Sequence, residues 1–155
     1  MARGRLYPGH HAGDEMRLVT SSMIHPWSCD AQGHLNTRHY VGIFDDANHV
    51  LLARITGQSQ DAASALGWAD VRNELDFTAE IKAGTVVDVF AAIRRIGTKS
   101  LTIASEVRRA NSDDVCARML AIITRFDLTA RRAVALSRPL IESARPWLEL
   151  APAAT

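Results

Sequence analysis

One stretch of the chain carries a helical hydrophobic period and those after it a strand period, and that contrast limits the folds open to it. Between Thr37 and Gly57 ("TRHYVGIFDDANHVLLARITG"), Tyr40, Phe44, Ala47, Leu51 and Ile55 recur at helical spacing, with Ile43 and Val50 beside them. Arg38, Asp45, Asp46, Asn48 and His49 are their polar companions. Asn36 offers an N-cap and Gly57 a left-handed stop, so the pattern predicts one helix of roughly five turns. Everything clearly periodic after it has period two. In "VRNELDFTA", Val71, Asn73, Leu75, Phe77 and Ala79 share a face, and Arg72, Glu74, Asp76 and Thr78 the other.

Three more strands follow. "TVVDVFAAIRRI" is apolar on both faces for much of its length, "LTIASEVRR" alternates, and "VCARMLAIITRFDL" has the composition of the most buried strand. "KAG", Gly97 in "IGTKS" and "ANSDD" supply the turns between them. Ahead of the helix, "VTSSMIHPW" is β-prone up to Pro26. A lone long helix beside a strand meander must bury its stripe on one face of the sheet, which predicts an α+β fold wrapped on that helix. "QSQDAASALGWAD" reads as a linker and "PLIESARPWLEL" as a short closing helix. Residues 1–18, rich in Gly, His, Arg and Pro, read as a flexible extension, and 19–150 as a single domain.

Composition narrows the partners. At 155 residues and 47% hydrophobic, the chain can build one substantial core. A net charge of +1 gives no bulk pull toward nucleic acid or membrane. The basic residues are mostly Arg, which suits phosphate or carboxylate, though the same bias also follows from base composition. Two cysteines without CxxC spacing argue against a disulfide framework. With no apolar run of signal or membrane-spanning length, a cytoplasmic protein is expected.

The loop "SCDAQGHLN" sits directly before the helix. A helix starting near Asn36 leaves its first N–H groups without intrahelical partners, and they point back toward Asp30. The helix dipole adds partial positive charge there, so an oxygen that becomes negative in a transition state is stabilised. A carboxylate beside it can attack a carbonyl or activate water. Gly33 lets the backbone turn and a substrate approach. The plainer reading of Asp30 is an Asx turn, and of Asn36 a cap.

Together, "WSCDAQGHLNTRHYVGIFDDA", "NELDFTAEIKAGTVVDVFAAIRRIGTKSLTIASEV" and "CARMLAIITRFDL" resemble the hotdog-fold acyl-CoA thioesterases of the 4-hydroxybenzoyl-CoA thioesterase type, over about Val19 to Leu128. The resemblance implies an antiparallel sheet wrapped around one central helix, self-association as dimer or tetramer with the site at a subunit interface, and hydrolysis of an acyl-CoA thioester. It implies that Asp30 is the catalytic carboxylate and that the backbone amide of Thr37 polarises the thioester carbonyl, with Gly33, His34 and Asn36 completing the loop. Phe77 stands where many members carry tyrosine. Neither a metal nor any cofactor beyond the coenzyme A of the substrate is implied.

Around that centre, Trp68 and Phe77 are candidates to line the acyl group, with core packing as the alternative. Arg94, Lys99 and Ser100, together with Arg95, Arg108 and Arg109, read as one basic cluster about a hairpin, able to hold coenzyme A phosphates or simply to be solvated strand ends. Asp45, Asp46, His39 and His49 read as the polar helix face, and Cys29 as a small packed residue. Two rival functions remain. A hydratase or dehydratase on the same fold would release no thiol from acyl-CoAs. A non-catalytic acyl-CoA-binding module would bind without turnover.

Overall fold

The computed structural model describes residues 16–57 and 65–149. Its elements run in the order β1 (Arg17–Met23), α1 (Thr37–Thr56), β2 (Leu66–Phe77), β3 (Val86–Ile96), β4 (Ser100–Arg109), β5 (Val115–Asp127), β6 (Arg132–Ala133) and α2 (Arg138–Ala144). The strands form one antiparallel sheet in the order β1-β3-β4-β5-β2, with β6 added to the end of β5. This is the sheet-and-helix architecture that the resemblance implies.

The helix begins and ends where its sequence says it should. The Asn36 side chain accepts from the Arg38 N–H, and Gly57 is left-handed at φ 67°. Phe44, Ala47 and Leu51 are completely buried. They pack with Val87, Val89, Ile93, Leu101, Ile103 and Val107 from the inner face of β3 and β4. Arg54 anchors the far end by donating to the Val19 carbonyl at 2.8 Å. The helix therefore lies over β1, β3 and β4, and the inner face of β2 is left on its open flank.

Several expectations need correcting. The first strand starts at Arg17, with Met16 buried ahead of it, so the domain begins before residue 19; the rest of the proposed extension, 1–15, lies outside the described residues. The stretch assigned to a linker is strand from Leu66, pairing with Asp127 through Ile123 of β5, while 58–64 lie outside the described residues. Small residues Gly67 and Ala69 hid the alternation, and a register shift between Asp70 and Arg72 leaves Val71 as a bulge. The most continuously buried strand is β3, with seven consecutive buried residues, rather than β5. β3 is flanked by strands on both sides and covered by the helix, whereas β5 adjoins the exposed edge strand β2. The tail does form a closing helix, α2, while the two-residue β6 is too short to carry a hydrophobic period.

β2 is an edge strand with Val71 65% and Phe77 51% exposed. Among the described residues no helix is long and apolar enough to cross a membrane.

Candidate active site

Asp30 sits in the turn of a short loop whose chain leads into the amino end of α1. After a 3-10 turn at Pro26–Ser28, Cys29 and Leu35 bridge and close the loop between them. Inside it the Asp30 N–H donates to the His34 carbonyl at 2.8 Å, and the Gly33 N–H donates to the Asp30 carbonyl at 3.0 Å. Gly33 takes φ 80°, a conformation that a β-carbon disfavours. One oxygen of Asp30, Oδ1, accepts the N–H groups of Gln32 at 2.9 Å and His34 at 3.2 Å. The Asx turn and the exposed carboxylate therefore coexist. Its Oδ2 accepts no hydrogen bond among the described residues and faces solvent with the exposed Asp30.

The loop is tied to the helix. Asn36 N–H donates to the Ser28 carbonyl at 3.0 Å while its side chain caps Arg38. Thr37 is the first helical residue and is exposed, so its N–H has no intrahelical acceptor. An anionic oxygen at this end would meet the positive pole of a 20-residue helix.

A strap from β2 to β3 supports the loop from behind. Thr78 and Ala79 donate their N–H groups to the Cys116 carbonyl, and the Thr78 hydroxyl donates to the Val115 carbonyl at 2.6 Å. Tyr40 reaches the Ala79 carbonyl at 3.4 Å and meets the Phe77 ring edge-on, centroids 5.1 Å apart. Arg109 donates to the Glu80 carbonyl at 2.8 Å, Leu35 N–H donates to the Ile81 carbonyl at 2.7 Å, and His34 bridges to Lys82. Burial pushes the Tyr40 phenol up from its ordinary range, with Cys116 adding to the effect. Burial likewise raises the Cys116 thiol.

The remaining candidates divide between the two ends of the sheet. Phe77 lies at the Asp30 end, against Tyr40. Trp68 lies at the other end, in β2 rather than in a loop, opposite Arg125. The Arg125 guanidinium covers its ring at 5.0 Å, and the indole Nε1 is buried with no hydrogen-bond partner among the described residues. Lys99 and Ser100 share that far end, where Arg125 N–H donates to the Lys99 carbonyl. From Ser100 to Arg109 the strand spans about 30 Å. The arginines expected to cluster about one hairpin are thus split. Arg108 and Arg109 sit at the Asp30 end of β4, and Arg94 pairs with Glu149 at 3.0 Å. Arg108 is buried against Glu106 and over the Phe90 ring on the outer face. Within one chain, Asp30, Gly33, His34, Asn36 and Thr37 share one loop and helix start, Phe77 lies against Tyr40 of the same helix, and Trp68, Arg94, Lys99 and Ser100 lie elsewhere on the sheet.

Two residues escaped sequence reasoning. Glu80 Oε2 lies 3.0 Å from His34 Nε2, a contact between segments 46 positions apart with no local pattern to announce it. Asn48, one of the polar companions, is 3% exposed, and its Oδ1 has no hydrogen-bond partner among the described residues.

The sequence matches the model of the thioesterase-like superfamily over residues 24–148. No curated protein matches it. Solved structures share its fold. A predicted thioesterase from Bacillus stearothermophilus is 22% identical with a TM-score of 0.76, covering 86% of this chain and 96% of that one. The Staphylococcus aureus protein SAV2348, solved in complex with CoA, is 14% identical with a TM-score of 0.78 over 90% of this chain and 89% of its own. Slr0204 from Synechocystis, a 1,4-dihydroxy-2-naphthoyl-CoA thioesterase, is 16% identical with a TM-score of 0.71 over 81% and 93%. With the family model spanning the strap, the central helix and the Asp30 loop alike, the chain belongs to the thioesterase-like superfamily.

Proposed function

We propose that the protein hydrolyses an acyl-CoA thioester to the free acid and coenzyme A. The observation that carries this reading is the Asp30 carboxylate, held in a turn whose chain leads directly into the amino end of α1. The thioester oxygen accepts from the Thr37 N–H, and the helix dipole favours the charge it gains. Asp30 then takes a proton from water as the water oxygen bonds to the carbonyl carbon. The carbon–sulfur bond breaks, and the departing thiolate takes that proton back from Asp30 through water, restoring the carboxylate. Direct attack by Asp30, giving a mixed anhydride that water opens, uses the same geometry. Neither route needs a metal or redox group.

The site is completed by a second copy of the chain. An edge strand is a template for another strand, and among the described residues β2 is at the margin of the sheet with Val71 and Phe77 exposed. Antiparallel pairing of β2 with its two-fold mate sets the Trp68, Lys99 and Ser100 end of one protomer beside the Asp30 and Phe77 end of the other. Arg94, Lys99 and Ser100 of one protomer then serve the phosphates of coenzyme A bound at the other's Asp30, and Trp68 and Phe77 line the acyl group. The two free cysteines suit a reducing compartment, and we place the protein in the cytoplasm.

Thiol release over a panel of aryl, short branched, hydroxylated and straight-chain acyl-CoAs tests the proposal. Turnover of at least one of them is expected. Binding across the panel with no free thiol would replace it with the non-catalytic reading, and loss of acyl-CoA without thiol would point to a hydratase.

A further inference from the structure

We propose that Glu80 is a positioning residue: its carboxylate holds the His34 imidazole and, through the backbone of His34, the turn that carries Asp30. The catalytic part of this inference rests on the thioesterase reading above; the structural part does not.

Glu80 stands on a fixed base. Every residue from Thr78 to Lys82 makes a backbone or bridging contact to β5, α1, Arg109 or the loop. From that strap its Oε2 reaches His34 Nε2 at 3.0 Å. The His34 side chain is 23% exposed, whereas the Glu80 carboxylate is largely in water at 69%. His34 in turn grips Asp30 from both sides. Its carbonyl accepts the Asp30 N–H, and its N–H donates to Asp30 Oδ1. A displacement of the His34 ring is therefore passed to the carboxylate through one residue.

The contact has a chemical consequence as well. A carboxylate at Nε2 makes that nitrogen the proton carrier in the neutral ring, leaving Nδ1 as the acceptor. Lys82 and Arg109 line the recess of about 280 Å³ beside Glu80, so cations flank the carboxylate that His34 shares. Arg109 is already engaged by Asp114 at 3.4 Å. The strap thus sets Glu80 beside the ring with two basic side chains nearby, one of them held by Asp114.

The test uses the full chain with Glu80→Ala, Glu80→Gln and Glu80→Asp. Hydrogen exchange is read at the Asp30 and Leu35 amides by NMR, at low salt and near 1 M salt. In Glu80→Ala those two amides should exchange about five-fold faster, the upper range for a pair this exposed, with the β3 and β4 amides unchanged. Wild-type protection should fall with salt, Glu80→Ala should not respond, and Glu80→Asp should recover part of the loss. On the best substrate, kcat should drop by the same factor as the exchange protection while KM stays put. Unchanged exchange at Asp30 and Leu35 in Glu80→Ala, or a loss spread over the whole sheet, overturns the proposal. Exchange that responds as described in a protein that hydrolyses no acyl-CoA would leave the positioning role standing and remove the thioesterase reading instead.

Discussion

Asp30 and His34 are bonded to each other twice, N–H to carbonyl at 2.8 Å in one direction and N–H to side-chain oxygen at 3.2 Å in the other. The turn needs an oxygen at Asp30 Oδ1 but not a charge. An asparagine supplies the same acceptor. Asp30→Asn should therefore keep the fold, the melting temperature and the oligomeric state while losing at least about 100-fold in kcat. Steady-state kinetics beside a thermal melt check this. Near-wild-type turnover would take Asp30 out of the mechanism.

Val71 lies near the middle of β2 as an exposed bulge, so a two-fold through that strand brings both copies of it close together. Val71→Lys sets like charges against each other there and should shift sedimentation toward a single chain. The isolated protomer should change by no more than about 0.5 kcal/mol, since the side chain is exposed. On the two-protomer site proposed above, activity should fall as the dimer is lost, because Trp68, Lys99 and Ser100 would no longer reach the Asp30 of the other protomer.

The two thiols differ in access. Cys116 is fully buried and its thiol is pushed up by that burial, whereas Cys29 is half-buried in the Asp30 loop and its thiol donates to the His25 carbonyl at 3.7 Å. Titration of the native protein with a thiol reagent should give one fast equivalent, at Cys29, and a second only on unfolding. Mass mapping of the labelled peptide identifies which.

Asp70 carries a pH signature. Partial shielding of its carboxyl raises its pKa, and Asp45 across the helix flank raises it further against a smaller opposing effect of His49. The folded state then holds the proton more tightly than the unfolded one. Stability is lost as pH rises from the unfolded value of 3.8 through the raised folded value. Asp70→Asn should raise the melting temperature at pH 7, by no more than about 2 °C for a residue this exposed, and leave it unchanged near pH 3. A pH series of thermal melts separates the two cases.

What sequence could and could not disclose follows from where each signal lives. α1 was legible in full because stripe, cap and stop are local: Tyr40 to Ile55, Asn36 and Gly57 each act within a few positions. The Asp30 loop was legible for the same reason. The start of β2 was not, because Gly67 and Ala69 carry little hydrophobic signal and the bulge at Val71 breaks the phase. The split of the arginines between two ends of a strand follows from register, which alternation alone does not number. Glu80 was invisible because its partner is brought by the β2–β3 connection and not by sequence proximity.

The strand order also bears on how the chain reaches this state. β3, β4 and β5 follow one another through short turns, so their pairings close small loops and can form early. β1 must find β3 across the whole of α1, and Leu66 must find Asp127, so both margins of the sheet are late arrivals. Pulse-labelled exchange during refolding should protect the three central strands first. On the dimer proposed above, pairing through β2 makes maturation of the monomer and its association share a rate-limiting event, and refolding should quicken as protein concentration rises.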